Sequence, residues 1–195
     1  LDDDILVANE DNAITLRGIA VEIAVLQNDN YPSSPLADLT IEIATPPASS
    51  RGTVEVIGNQ RLRFTPATTF VGIATMHYVV RDHRLGVSQP ARVRVGVPAS
   101  AKQNPWNPYD VNGDGRVAAH DVLLIINTLN NPNESRNVGD IRNPLRQPFV
   151  DVNGDGFINA VDALLVINHL NRRSQGEGEP NVPTHELGAT ALPIT

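Results

Sequence analysis

Asp110, Asn112, Asp114 and Asp121 occupy positions 1, 3, 5 and 12 of a segment reading D-x-N-x-D-G-x5-D, and Asp151, Asn153, Asp155 and Asp162 repeat it 41 residues on. Side-chain oxygens at every second position, closed by a later carboxylate, suit a hard cation. Calcium takes about six to eight oxygens at about 2.3 to 2.6 Å, and a loop of this spacing can wrap it. Gly115 and Gly156 fall where such a loop must turn sharply. Arg116 and Phe157 at position 7 would bind through their carbonyl oxygens, which leaves their side chains free to vary. At position 9 Asn159 offers an oxygen and Ala118 does not, so the first loop is expected to take an extra water and bind more weakly.

The bland alternative is a turn-rich acidic loop with no ligand. Duplication argues against it: both copies carry Asp at position 12, and both run straight into an apolar helical stretch. Two calcium ions are therefore expected. They would take the formal charge from −7 to −3.

The elements that must hold these loops are legible around them. The repeats are YDVNGDGRVAAHDVLLIINTLN at 109–130 and VDVNGDGFINAVDALLVINHLN at 150–171. Helices are expected over Val122–Leu129 and Ala163–Leu170, with Asn130 and Asn171 as stops. Asp121 and Asp162 then sit in the first helical turn, where negative charge suits the helix dipole. Leu123, Leu124, Ile126 and Leu165 are expected to form a shared core, and Val117 and Ile158 to pair between loops.

From about Asn104 to Arg173 the chain resembles a type I dockerin, a module of two calcium loop-helix repeats. The doubled ALLVIN-like helix and the Gly-Glu tail look most like dockerins at the ends of large planctomycete proteins. The resemblance implies docking onto a cohesin domain, which attaches enzymes to scaffolds or proteins to surfaces. Cellulosomal members often carry a Ser-Thr pair at positions 10 and 11, whereas here Ala119 and His120, then Ala160 and Val161, take those places. These four, with Asn127 and Asn168 further along each helix, are the expected partner-binding residues. The stretch Asn131–Val150 between repeats is long and proline-bearing.

Upstream, short alternating runs broken by Gly, Pro, Asn and Asp predict an antiparallel β-sandwich. Strands are expected at Ala13–Arg17, Val21–Leu26, Leu39–Ala44, Thr53–Ile57, Arg61–Thr65, Ile73–Arg81 and Ala91–Val97, with a hairpin at Gly58–Gln60. Seven short strands match an immunoglobulin-like sandwich. The stretches VEIAVLQNDN, RLRFTPATTFVG, MHYVVRD and ARVRVGV resemble bacterial Ig-like and cadherin-like surface repeats. Asn28, Asp29 and Asn30 resemble the NDN element of cadherin calcium sites, with Glu10 and Asp11 as possible neighbours, although a polar inter-strand loop is the favoured reading.

The expected organisation is thus multi-domain: an all-β Ig-like sandwich over 1–98, a linker over 99–108, an α-helical calcium loop-helix pair over 109–173, and a flexible or partner-ordered tail over 174–195. Beginning at Leu1, the chain reads as a piece of a longer polypeptide.

Chemistry elsewhere is sparse. A net charge of −7 disfavours nucleic acid and anionic lipid as partners. With Cys 0, no disulfide framework exists, and bound metal is the obvious reinforcement for a small domain. His77, His83, His120, His169 and His185 lack zinc-ligand spacing, with His120 and His169 the best placed to face a partner. No nucleophile elbow or phosphate-cradling loop is present, so the segment is not expected to be an enzyme. No run is long enough to span a bilayer. The reading is an extracellular, calcium-dependent attachment module for a cohesin-like partner or neighbouring surface domain. Its alternatives are a calcium-rigidified structural segment and an accessory region of a secreted glycoside hydrolase.

Overall fold

Alternation of apolar and polar residues sets the N-terminal architecture. The computed structural model describes residues 5–32, 35–131 and 148–176. Its strands are β1 (Asp11–Ile14), β2 (Val21–Ile23), β3 (Thr40–Thr45), β4 (Gly52–Ile57), β5 (Arg61–Pro66), β6 (Gly72–Asp82), β7 (Gly86–Val87) and β8 (Ala91–Val97). One sheet runs β1-β8-β6-β3 with β7 beside β6, and the other runs β2-β5-β4. All pairings are antiparallel except β1 with β8. Leu62 and Phe64 of β5 face Met76, Tyr78 and Val80 of β6 and Val93, Val95 and Val97 of β8 in one buried core.

The expected strands recur with shifted ends, and each shift has a cause. The expected Val21–Leu26 strand stops at Ile23, because Val25 and Leu26 are buried in succession, which a two-residue period cannot do. A 3₁₀ turn over Val25–Gln27 does it instead. β1 begins at Asp11, where pairing with Val93 starts, and ends before the turn at Gly18, whose φ is 70°. The two-residue β7 has no alternating pattern to betray it. The β4–β5 hairpin turns at Gly58 and Asn59, at φ 56° and 63°, the left-handed pair that a tight hairpin requires.

The two helices are α1 (Ala119–Asn130) and α2 (Ala160–Gly176), packed on each other. α2 passes the expected stop at Asn171, since Asn is a weak helix former rather than a breaker. The core beneath them holds Val111, Ile125, Val150, Val152, Ile158, Ala163 and Val166, with Val117, Leu124 and Leu165 packed against it. Leu123 and Ile126, expected inside, are 49% and 40% exposed. The helical period turns Asp121, Ile125 and Leu129 inward, so positions 123 and 126 lie on the opposite face. Residues 132–147 of the expected inter-repeat stretch, and residues 177–195 of the expected tail, lie outside the described residues.

Candidate functional site

Each loop is organised around its first aspartate. Asp110 Oδ1 accepts the N–H of Gly113 at 2.8 Å and its Oδ2 accepts that of Gly115 at 2.9 Å. Asp151 does the same with Gly154 and Gly156, both at 2.9 Å. The glycines turn at φ 71° and 85° in the first loop and 72° and 88° in the second. That left-handed backbone penalises any side chain with a Cβ.

Positions 3 and 5 are tied together. Asn112 Nδ2 donates to Asp114 Oδ2 at 2.8 Å, and Asn153 donates to Asp155 at 2.8 Å. Asp114 Oδ1 then accepts the N–H of Arg116, and Asp155 Oδ1 that of Phe157, again both at 2.8 Å. The Asn112 amide, followed by the Arg116 N–H, holds the Asp114 carboxyl below its ordinary pKa.

Position 12 closes the ring. Asp121 Oδ1 accepts from Val111 and Asn112, and its Oδ2 accepts from Ala118 at 2.8 Å. Asp162 repeats this with Val152, Asn153 and Asn159. Burial pushes the Asp162 carboxyl upward, opposed by those N–H donors and assisted by the nearby charge of Asp151.

The loops differ at position 9. Asn159 Oδ1 accepts the N–H of Val161 at 2.8 Å and so caps α2, whereas Ala118 begins α1 with no side-chain cap. The Asn159 side-chain oxygen thus gives one lone pair to the helix and keeps the other for a cation or a water.

Donor chemistry and burial fit a hard dication. Asp110, Asp121, Asp151 and Asp162 are all buried, and none takes part in an ion pair among the described residues. Buried carboxylates without a counter-charge are costly, and backbone N–H groups only partly offset that cost. Among the described residues no three acidic, imidazole or thiolate side chains form a metal cluster by themselves. A cation in either loop would draw on asparagine and carbonyl oxygens as well, which is what the spacing supplies.

The six expected partner residues, Ala119, His120, Asn127, Ala160, Val161 and Asn168, are all exposed. His169, expected to face a partner, is instead stacked on Tyr109 with ring centroids 4.3 Å apart, binding α2 to the start of the first repeat. Sequence reading missed the apolar part of this face. Leu123, Ile126, Leu164 and Ile167 are 49%, 40%, 52% and 37% exposed. A shallow groove between the helices is lined by Leu123, Ile126 and Ile167. A helical-wheel count from the buried Asp121 and Asp162 carries the signal.

In the sandwich, the structure gathers the polar residues near Asn28–Asn30. Tyr78 donates toward Asp29, whose oxygens lie at 2.9 and 3.0 Å, and Asn9 N–H donates to Asp29 at 2.7 Å. Burial raises the Asp11 carboxyl to about 6, opposed by Tyr78 and Asn28 and reinforced by the charge on Asp29. These residues join β1 to the turn after β2.

Residues 2–96 match the Bacterial Ig domain family, and residues 108–171 and 149–187 match the Dockerin type I domain family. No curated protein matches the chain. Solved structures similar to it include a SusE-like surface located polysaccharide binding protein from Bacteroides thetaiotaomicron, at 12% identity and TM-score 0.34, over 46% of this chain and 14% of that one. An endo-fucoidan hydrolase of glycoside hydrolase family 107 is similar at 16% identity and TM-score 0.35, over 49% of this chain and 16% of that one. The fibronectin(III)-like modules of CbhA from Clostridium thermocellum are similar at 12% identity and TM-score 0.25, over 48% and 93%.

Proposed function

We propose that this chain, a bacterial Ig domain followed by a type I dockerin domain, attaches its parent protein to a protein partner outside the cell when both of its loops hold calcium. The dockerin domain is a calcium-dependent protein-docking module, and neither domain type is catalytic. No helix among the described residues is long and apolar enough to cross a membrane.

Asp110, Asn112, Asp114, Asp121 and the Arg116 carbonyl would hold one ion. Asp151, Asn153, Asp155, Asp162 and the Phe157 carbonyl would hold the other, with Asn159 contributing directly or through water. Bound calcium supplies the counter-charge that the buried carboxylates lack. The chain's own groups do the rest: the glycines let the backbone fold inward, and Asp121 and Asp162 join each loop to its helix.

One observation carries this reading. Two loops of matching hydrogen-bond pattern present two helices whose outer faces are apolar and exposed. A dry face of Leu123, Ile126, Leu164 and Ile167, edged by Ala119, His120, Ala160 and Val161, suits a protein surface better than sugar or nucleic acid, which would ask for aromatic platforms or positive charge. A cohesin-like domain is the partner class we propose.

Titration calorimetry of the full chain should resolve two calcium sites, the second tighter. Asp151→Ala with Asp155→Ala should remove it, and unchanged stoichiometry would refute the ligand assignment. Immobilised type I cohesin domains should capture the chain in calcium and release it in chelator. Ala160→Arg with Val161→Asp should abolish capture and leave calcium uptake intact. Lowered thermal stability of that variant without any partner would favour a second reading, a calcium-rigidified structural segment, which the hydrogen bonds of Lys102 and Gln103 to Asp151 and Val152 in the second loop support.

A further inference from the structure

Residues 99–108 separate the two domains in sequence but touch both in space. On the sandwich side, Pro105 lies directly over Gly96 of β8: a Cβ added there would stand 2.7 Å from Pro105 Cγ. The Arg94 guanidinium sits 4.9 Å from the centroid of the Trp106 ring, within cation–π reach. Arg17 donates to the Ala99 carbonyl at 3.1 Å.

On the dockerin side, most contacts fall on the second loop and one on the first. Asp151 N–H donates to the Lys102 carbonyl at 3.1 Å, and Gln103 Nε2 donates to the Val152 carbonyl at 3.0 Å. A Cβ at Gly154 would meet Ala99 Cβ at 2.7 Å and Gln103 Nε2 at 2.8 Å. Gln103 also accepts the Ala99 N–H, folding 99–103 into a turn. Buried Asn104 completes the segment, accepting from Trp106 N–H and donating to the Asp110 carbonyl at 2.8 Å.

We infer that residues 99–106 form a strut that couples calcium in the second loop to the relative placement of the Ig and dockerin domains. The inference rests on the reading of the loops as calcium sites. Asp151, Val152 and Gly154, which take most of the strut's contacts, occupy positions 1, 2 and 4 of the second loop, whereas the first loop meets the strut at the Asp110 carbonyl, so order in the second loop and strut docking depend on one another. The coupling is reciprocal: whatever calcium contributes to docking, docking contributes to calcium affinity.

Trp106 is the chain's one tryptophan and lies in the strut, so its fluorescence reads docking directly. In the full chain, calcium should shift Trp106 emission to the blue and lower the radius of gyration measured by small-angle scattering. Asp155→Ala in the second loop should lose both responses, and Asp114→Ala in the first should keep them. Gly96→Val, which wedges Pro105 off β8, and Gln103→Ala, which frees the Val152 carbonyl, should each weaken the second calcium site about fivefold or more and weaken it more than the first. The inference is overturned if calorimetry records calcium in the second loop while Trp106 emission and radius stay constant, or if both loop variants lose the response equally. Those outcomes leave the calcium sites standing. Absence of calcium uptake would remove both.

Discussion

Asp121 Oδ1 accepts the N–H of Val111 at 2.8 Å, so position 12 of the first loop is fastened to position 2. Asp162 holds Val152 in the same way at 2.9 Å. An amide in place of either carboxylate would turn a donor toward backbone N–H groups and remove charge from the proposed cation site. Asp121→Asn and Asp162→Asn should each destabilise the calcium-loaded dockerin domain by about 1.5 to 3 kcal/mol, the worth of a charge-assisted hydrogen bond. Urea unfolding followed by helical circular dichroism measures this, and wild-type midpoints would contradict it.

Ala118 is where the two repeats part. Its counterpart Asn159 caps α2 through Val161 N–H, while α1 has no side-chain cap. Ala118→Asn should therefore stabilise the domain by about 1 kcal/mol and raise its melting temperature. An equal or lower melting temperature would mean the extended residue at 118 cannot place its amide over the helix end.

Calcium removal should divide the chain in two. The dockerin core is small, carries four buried aspartates and lacks disulfides, so calcium in the proposed sites would supply much of its stability. Chelation should collapse helical dichroism and open residues 104–173 to protease while residues 13–97 survive. Equal resistance of both halves would argue for a core sufficient without metal.

The sandwich should respond to pH through Asp11. Its pKa is raised from 3.8 to about 6 on folding, chiefly by burial, so the folded state holds the proton more tightly than the unfolded chain. Its contribution to stability is thus fully present below about pH 4 and is lost as pH rises through about 6. Asp11→Asn, which stays neutral, should gain on the wild type as pH rises from 4 to 7. Denaturant unfolding of the sandwich at both pH values reads the difference, and a gap that is constant or narrows with pH would exclude the effect.

The two repeated loops were legible in the chain because their pattern is local. Acidic and amide side chains two residues apart, glycines at the turns and a carboxylate opening a helix are all set by covalent spacing, and duplication repeats the pattern 41 residues on. Most strands were legible for the same reason, as at Ala91–Val97, where alternate residues enter the core. What the sequence left open depended on distant neighbours. Val25 and Leu26 look like strand until a core must take both, and Leu123 looks buried until Asp121 and Ile125 set the helix face. Nothing local marks Pro105 for Gly96 or Gln103 for Val152, since those contacts exist only once both domains have folded. The loop pattern is written along the chain because each loop folds on its own residues, whereas the exposed face and the strut belong to the tertiary structure, which alone brings separate elements into contact.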